Sequence, residues 1–158
     1  MIFVTVGSQK FQFNRLLIEI DRLIENRKIT EEVFAQIGYS DYKPKNYKYK
    51  EFLDRDEFLK VMNKCNKVIT HGGTGAIVGA VKQGKKVIAI PRLKKFGEHV
   101  DDHQLQIIKE FKKMNFIDSV YDINGLFEKI NKLENFKINN YTTNTNEIIK
   151  SIEAFIDS

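Results

Sequence analysis

Three glycines and a threonine fill Gly72-Gly73-Thr74-Gly75, directly after His71 and the apolar run Val68-Ile69-Thr70. Ala76 to Gln83 follows with helical character, then Gly84-Lys85-Lys86 and the apolar stretch Val87 to Pro91. The order predicts a βαβ unit with a glycine-rich turn at its centre. Glycines let backbone N–H groups approach an anion closely and permit φ > 0. A helix starting at that turn adds partial positive charge to the same point. Phosphate or diphosphate is the ligand such a turn suits. A plain strand-to-helix connection needs fewer glycines than this.

Two familiar phosphate motifs do not fit. Gly79-Ala80-Val81-Lys82-Gln83-Gly84-Lys85-Lys86 approaches a P-loop, but its last position is not Ser or Thr, and it ends a helix instead of following a strand. Gly84 reads more simply as the glycine that closes that helix. The spacing Gly73-x-Gly75-x-x-x-Gly79 is wrong for a dinucleotide fingerprint, and no acidic residue follows the strand ending at Ile90.

A second polar group lies downstream. Glu98, His103 and Gln104 stand where a helix should begin and offer donors and acceptors for sugar or ribose hydroxyls. The plainer reading of Asp101 with Gln104 is a capping box. His99 and His103 are four apart, but catalytic zinc takes three protein ligands and His99 should precede the helix, so no metal is expected. Arg92, Lys94 and Lys95 either add charge to an anion site or form a solvated basic loop. No Ser-His-Asp or Cys-His set is visible. Cys65 reads as a buried helix residue.

The elements that must hold these groups alternate along the chain. Ile2 to Val6 reads as a strand ending at Gly7-Ser8. Asn14 should cap a helix carrying Leu16, Leu17, Ile20, Leu23 and Ile24. Val33 to Ile37 reads as a strand, and a short one is expected near Tyr47 to Tyr49. Asp54 with Glu57 fits a capping box, and Leu53 with Phe58 a hydrophobic staple, for a helix burying Phe58, Leu59, Met62 and Cys65. A helix from about Asp102 to Met114 should face Leu105, Ile108 and Phe111 inward. Phe116, Ile117 and Val120 suggest a last strand, and Leu126, Ile130 and Leu133 another helix. Phe136 to Asn146 reads as irregular. Ile148, Ile149, Ile152, Phe155 and Ile156 give an amphipathic helix near 144–157.

This alternation predicts an α/β fold: a Rossmann-like, doubly wound, mainly parallel sheet in one domain over 1–158. Ligands of such sheets sit at the carboxyl ends of the strands. Three loops belong there: Gly7 to Asn14, His71 to Gly75, and Arg92 to Gln104. The 158 residues, 42% hydrophobic and 30% charged, suffice for one domain with a real core. No apolar run approaches the roughly 20 residues of a membrane span. Met1-Ile2-Phe3-Val4 lacks the features of a signal peptide, and one cysteine suits a reducing cytosol, so a cytoplasmic protein is expected. The +5 charge is spread along the chain without a basic, aromatic-interleaved block, which argues against nucleic acid.

Together, Thr70-His71-Gly72-Gly73-Thr74-Gly75, Gly84-Lys85, Pro91-Arg92-Leu93-Lys94-Lys95-Phe96-Gly97-Glu98-His99 and Asp102-His103-Gln104-Leu105 resemble the donor-binding, C-terminal half of inverting GT-B glycosyltransferases of the family 28 kind. Phe3-Val4-Thr5-Val6-Gly7-Ser8 fits that half's first strand and loop. The pattern is similar to the soluble subunits of two-part bacterial polysaccharide glycosyltransferases and of the two-part eukaryotic UDP-GlcNAc transferase. The resemblance covers the chain to about Phe116. It implies a UDP-sugar donor, with the diphosphate on Gly72 to Gly75 and the sugar against His103 and Gln104. It implies no cofactor and no metal. It implies hexosyl transfer (galactosyl, glucuronosyl or N-acetylglucosaminyl) to a lipid-linked sugar in exopolysaccharide or capsule synthesis. A membrane-anchored partner would hold the acceptor and place this chain at the inner face of the plasma membrane. Many relatives carry a ribose-binding glutamate where this chain has Gly79, so either Glu98 takes that function or ribose recognition is weaker. No catalytic base is assigned. A non-catalytic activating subunit and a stand-alone nucleotide-binding domain remain as alternatives.

Overall fold

A computed structural model describes residues 1–135 and 143–157. Among the described residues six parallel strands form one sheet: β1 (Ile2–Thr5), β2 (Val33–Gln36), β3 (Lys48–Lys50), β4 (Lys67–His71), β5 (Lys86–Ile90) and β6 (Asp118–Ser119). Their order is β3-β2-β1-β4-β5-β6. The helices are α1 (Asn14–Glu25), α2 (Arg55–Lys64), α3 (Thr74–Lys82), α4 (His103–Lys113), α5 (Leu126–Leu133) and α6 (Thr143–Asp157). This is the doubly wound Rossmann arrangement the alternation predicts. The sheet grows one way from β1 through β2 to β3 and the other way through β4 to β6. The point of reversal, between β1 and β4, opens a crevice at the strands' carboxyl ends.

The central strands β1, β4 and β5 bury both faces, as parallel strands covered by helices do, while β3 at the edge is exposed. Ile2 and Val4 of β1 face a core shared with α1 and α5 through Leu16, Leu17, Ile20, Leu126 and Ile130. Phe3 faces the other way, into a core with Met62 of α2, Ile77 and Val81 of α3, Phe111 of α4 and Ile149 of α6. The single register that aligns Ile2 with Val33 on one side and Lys67 on the other keeps both sets in place.

Several local expectations are corrected. Asn14 does not cap α1: Phe13 is the residue before the helix, and Asn14 Oδ1 accepts from Tyr42 N–H at 3.0 Å. The side chain therefore pins a loop some 28 positions away. At α2 the expected capping box is present, with Glu57 N–H donating to Asp54 Oδ1 at 2.8 Å and Asp54 N–H to Glu57 Oε1 at 3.3 Å. Leu59, expected inside, is 42% exposed, because that helix buries only Met62 fully. Cys65 is buried, but it follows α2 in extended conformation. In α4 the inward face is Gln104, Ile107, Ile108 and Phe111, with Leu105 only half-buried. The stripe has the expected helical spacing, but a glutamine holds its first position. The last strand falls at Asp118–Ser119, between the buried Ile117 and Val120. Most of the stretch read as irregular, 136–142, lies outside the described residues, as do the side chains of Phe155 and Ile156; residues 143–146 are helical.

Candidate functional site

The three loops meet at the carboxyl edge, as the sequence predicts. β4 ends in His71, and α3 begins three residues later with Gly73 as the residue before the helix. Gly73 has φ −76° and ψ 129°, a conformation open to any residue, so the left-handed geometry expected of it is absent. Its reason to be glycine is contact: a Cβ there would lie 2.2 Å from His71 Cε1. At Gly72 a Cβ would lie 2.7 Å from Gln104 Cβ. Gly7, at the end of β1, is constrained twice, by φ +76° and by a Cβ position 2.5 Å from His71 Nε2. The imidazole thus sits at the point of sheet reversal, between two glycine loops. Gly75 looks onto open space, with no atom within 4 Å of an added Cβ.

The amino end of α3 carries no side-chain cap. α2 is capped by Asp54, whereas α1, α4 and α5 also lack a side-chain cap; at α4 the N–H of His103 instead donates to Asp101 Oδ1 at 2.9 Å. The first three N–H groups of an α-helix have no partner within it. On α3 these belong to Thr74, Gly75 and Ala76, and they open onto the edge where the helix dipole is positive. That is the chemistry of an anion site. Ser8 is exposed on the adjoining loop, and half-buried His103 opens α4.

Of the residues expected to touch the donor, Gln104 and Glu98 are buried and already hydrogen-bonded within the chain. Gln104 is 3% exposed, and its amide is engaged on three sides. Oε1 accepts from Gly72 N–H at 2.9 Å and Arg92 N–H at 3.1 Å, and Nε2 lies 3.1 Å from His71 Nδ1. It ties the ends of β4 and β5 together and does not form the expected capping box with Asp101. Glu98 is 1% exposed. Its carboxylate accepts from Arg15 Nε at 3.0 Å, Arg15 Nη2 at 3.1 Å and Leu93 N–H at 3.0 Å. The carboxylate that could have replaced a glutamate at Gly79 is therefore committed to Arg15 of α1 and to its own loop. His99 precedes α4 and stacks near Phe11, with ring centroids 5.3 Å apart. Among the described residues no three His, Cys, Asp or Glu side chains form a metal-binding group.

Arg92 is not part of a solvated basic loop: backbone carbonyls take its Nη atoms, while its Nε has no hydrogen-bond partner. It is fully buried. Its Nη1 donates to the carbonyls of Phe11 and Gln12, both at 3.0 Å, and of Glu98 at 3.4 Å; its Nη2 donates to the carbonyl of Val6. One guanidinium holds the first loop against the third. Lys94 and Lys95 are exposed. Nothing local in the sequence marks this role, since the partners lie about eighty positions away.

Burial drives the His71 pKa down to about 3, with the Arg92 charge adding to the effect. In an unfolded chain it returns to about 6.5. The unfolded state then binds the extra proton between those values, so stability is full above about pH 6.5 and falls with acid toward pH 3. At pH 4.5 the expected loss is on the order of a few kcal/mol. Asp118 is also shifted down: burial opposes this, but Lys112, the Ser119 N–H and Lys129 outweigh it, and its contribution is lost only below its ordinary value of 3.8. Urea unfolding from pH 7 to 4.5 checks the histidine window; a flat profile there would remove the assignment.

Comparison with known proteins agrees with this fold. The family model described as "Glycosyltransferase family 28 C-terminal domain" matches residues 1–157. The UDP-N-acetylglucosamine transferase subunit ALG13 of Candida albicans is 30% identical over 90 residues, covering 57% of this chain and 29% of that protein. Among solved structures, MurG of Acinetobacter baumannii is similar at TM-score 0.58 and 15% identity, over 98% of this chain and 48% of that one. SnogD from Streptomyces nogalater gives 0.57 and 16%, over 99% and 39%. The chain thus spans under a third of the curated relative and under half of these solved chains. The chain belongs to the glycosyltransferase family 28 C-terminal domain family, and its fold is that of the C-terminal half of a GT-B glycosyltransferase.

Proposed function

We propose that this family 28 C-terminal domain binds a UDP-sugar and forms the donor half of an inverting hexosyltransferase. The observation that carries this is the uncapped amino end of α3 behind the glycine turn, beside His71 at the sheet's point of reversal. The diphosphate oxygens would take the N–H groups of Thr74, Gly75 and Ala76. As the bond from the anomeric carbon to the diphosphate oxygen breaks, charge grows on the departing UDP. Fixed N–H dipoles and the helix dipole stabilise that charge without reorganising. An acceptor hydroxyl forms the new bond at the opposite face of the anomeric carbon, and its proton passes to a base supplied by the other half of the enzyme. Gly7, Ser8 and His103 line the approach. Gln104 and Glu98 shape the site from beneath.

The relative's printed name makes UDP-N-acetylglucosamine a leading donor, with galactosyl and glucuronosyl donors as the other members of the class. No described helix is long and apolar enough to cross a membrane. A lipid-linked acceptor would then reach the enzyme through a membrane-anchored partner subunit, with this chain held at the cytoplasmic face. Exopolysaccharide or capsule assembly is the setting this reading favours. No metal or other cofactor is needed for the step as written.

UDP is expected to stabilise the fold by about 2.7 kcal/mol at 100 times its dissociation constant. Thermal unfolding with and without UDP measures this, with NAD as the competing ligand. Gly73→Val should abolish the UDP effect. Its backbone angles suit valine, but even the Cβ would lie 2.2 Å from the buried His71 ring, which must shift, so urea unfolding of the variant is needed beside the UDP titration to separate lost binding from lost stability. Stabilisation by NAD and not by UDP would favour the stand-alone nucleotide-binding alternative.

A further inference from the structure

We propose that Gln104 is a positioning residue: its amide locks the His71 imidazole in the Nε2–H tautomer and aims that donor into the crevice between Gly7 and Gly73. What the donor meets there rests on the diphosphate reading above; the lock itself does not.

The argument begins with the amide's orientation. Two backbone N–H groups, of Gly72 and Arg92, converge on one end of the Gln104 amide at 2.9 and 3.1 Å. Backbone N–H groups only donate, so that end must be the oxygen. The other end is then the NH2, and it lies 3.1 Å from His71 Nδ1. An amide NH2 has no acceptor capacity, so Nδ1 must accept. A neutral imidazole has one acceptor and one donor nitrogen, which puts the proton on Nε2.

The position of Nε2 follows from the two glycines. An added Cβ would lie 2.5 Å from Nε2 at Gly7 and 2.8 Å from it at Gly73. The N–H therefore sits at the mouth of the gap between the two loops. The described residues supply it with no hydrogen-bond acceptor. Burial acts most strongly against protonation of the ring, and Arg92 and His99, the titratable groups whose charge reaches it, act in the same direction. The ring thus presents a neutral, fixed donor to an anion at any ordinary pH.

Glutamine is the side chain that can do this. Glutamate at 104 would still accept from Gly72 and Arg92, but its second oxygen could only accept from the ring. The proton would move to Nδ1, and the Nε2 lone pair would face the incoming anion.

The test uses the full chain labelled with 15N and a long-range 1H–15N correlation of the imidazoles at pH 8. In the ligand-free wild type His71 should show a bare Nδ1 and a protonated Nε2. In Gln104→Glu the protonation should reverse, and calorimetry with UDP should show affinity lowered about tenfold or more, one lost hydrogen bond to a charged group. A wild-type His71 protonated on Nδ1 overturns the lock outright, whether or not the variant folds. A reversed tautomer with unchanged UDP affinity overturns the role in binding. If UDP fails to bind the wild type while the tautomer is as expected, the diphosphate reading fails and the lock stands.

Discussion

Arg92→Met is expected to lower the unfolding free energy by about 3 kcal/mol, through carbonyls left without donors in a buried site. The guanidinium donates to the carbonyls of Val6, Phe11, Gln12 and Glu98, and its carbon lies 5.2 Å from the centre of the Phe13 ring. Methionine fills similar volume but donates to none of them. Removing the buried charge recovers some desolvation energy, which is why the loss is smaller than the sum of the bonds. Burial already pulls the Arg92 pKa down to about 10, with Glu98 opposing the shift. Arg92→Lys should not restore stability, since one ammonium cannot span carbonyls placed for a planar fork. Urea unfolding at pH 7 gives the number. A loss below about 1 kcal/mol would mean the loops are held by something else.

The largest functional effect expected is the difference between the chain alone and the chain with the partner subunit proposed above. GT-B transfer takes place in a cleft between two Rossmann-like halves, and the six strands here make one sheet. On the reading proposed above, the described elements would hold the donor side of that cleft. Purified chain with UDP-sugars and a lipid-linked acceptor should give no transfer above background, and adding a membrane-anchored acceptor subunit should restore turnover. Enzymes exceed uncatalysed rates by at least about 10⁶-fold, so the contrast is effectively all or none. Robust transfer by the chain alone would refute the two-part reading.

Much of the fold is legible in the sequence because its signals are local. The Ile2–Thr5 and Val87–Ile90 runs, the stripe of Leu16, Leu17, Ile20 and Leu23, and the Asp54–Glu57 cap each depend on neighbours within a turn or a strand. The glycine turn and its place at the carboxyl edge are legible for the same reason. What the sequence hides is long-range. Gln104, Glu98 and Arg92 look like surface polar groups at a helix start, yet all three are buried, because their partners arrive from loops far away in the chain. Gln104 takes the first inward position of α4 because two N–H groups and a ring nitrogen wait there. Asn14 misled in the same way, its side chain turning to Tyr42 instead of the helix start.

The measurement that bears most directly on the central claim is an amide 1H–15N titration of the chain with UDP. The account expects saturable shifts concentrated at Thr74, Gly75 and Ala76, with smaller ones at Gly7 and Ser8. The amides of Lys67, Gly84 and Lys86, at the far edge of the sheet, should stay fixed. Unmoved α3 amides at millimolar UDP, or shifts confined to that far edge, would contradict it.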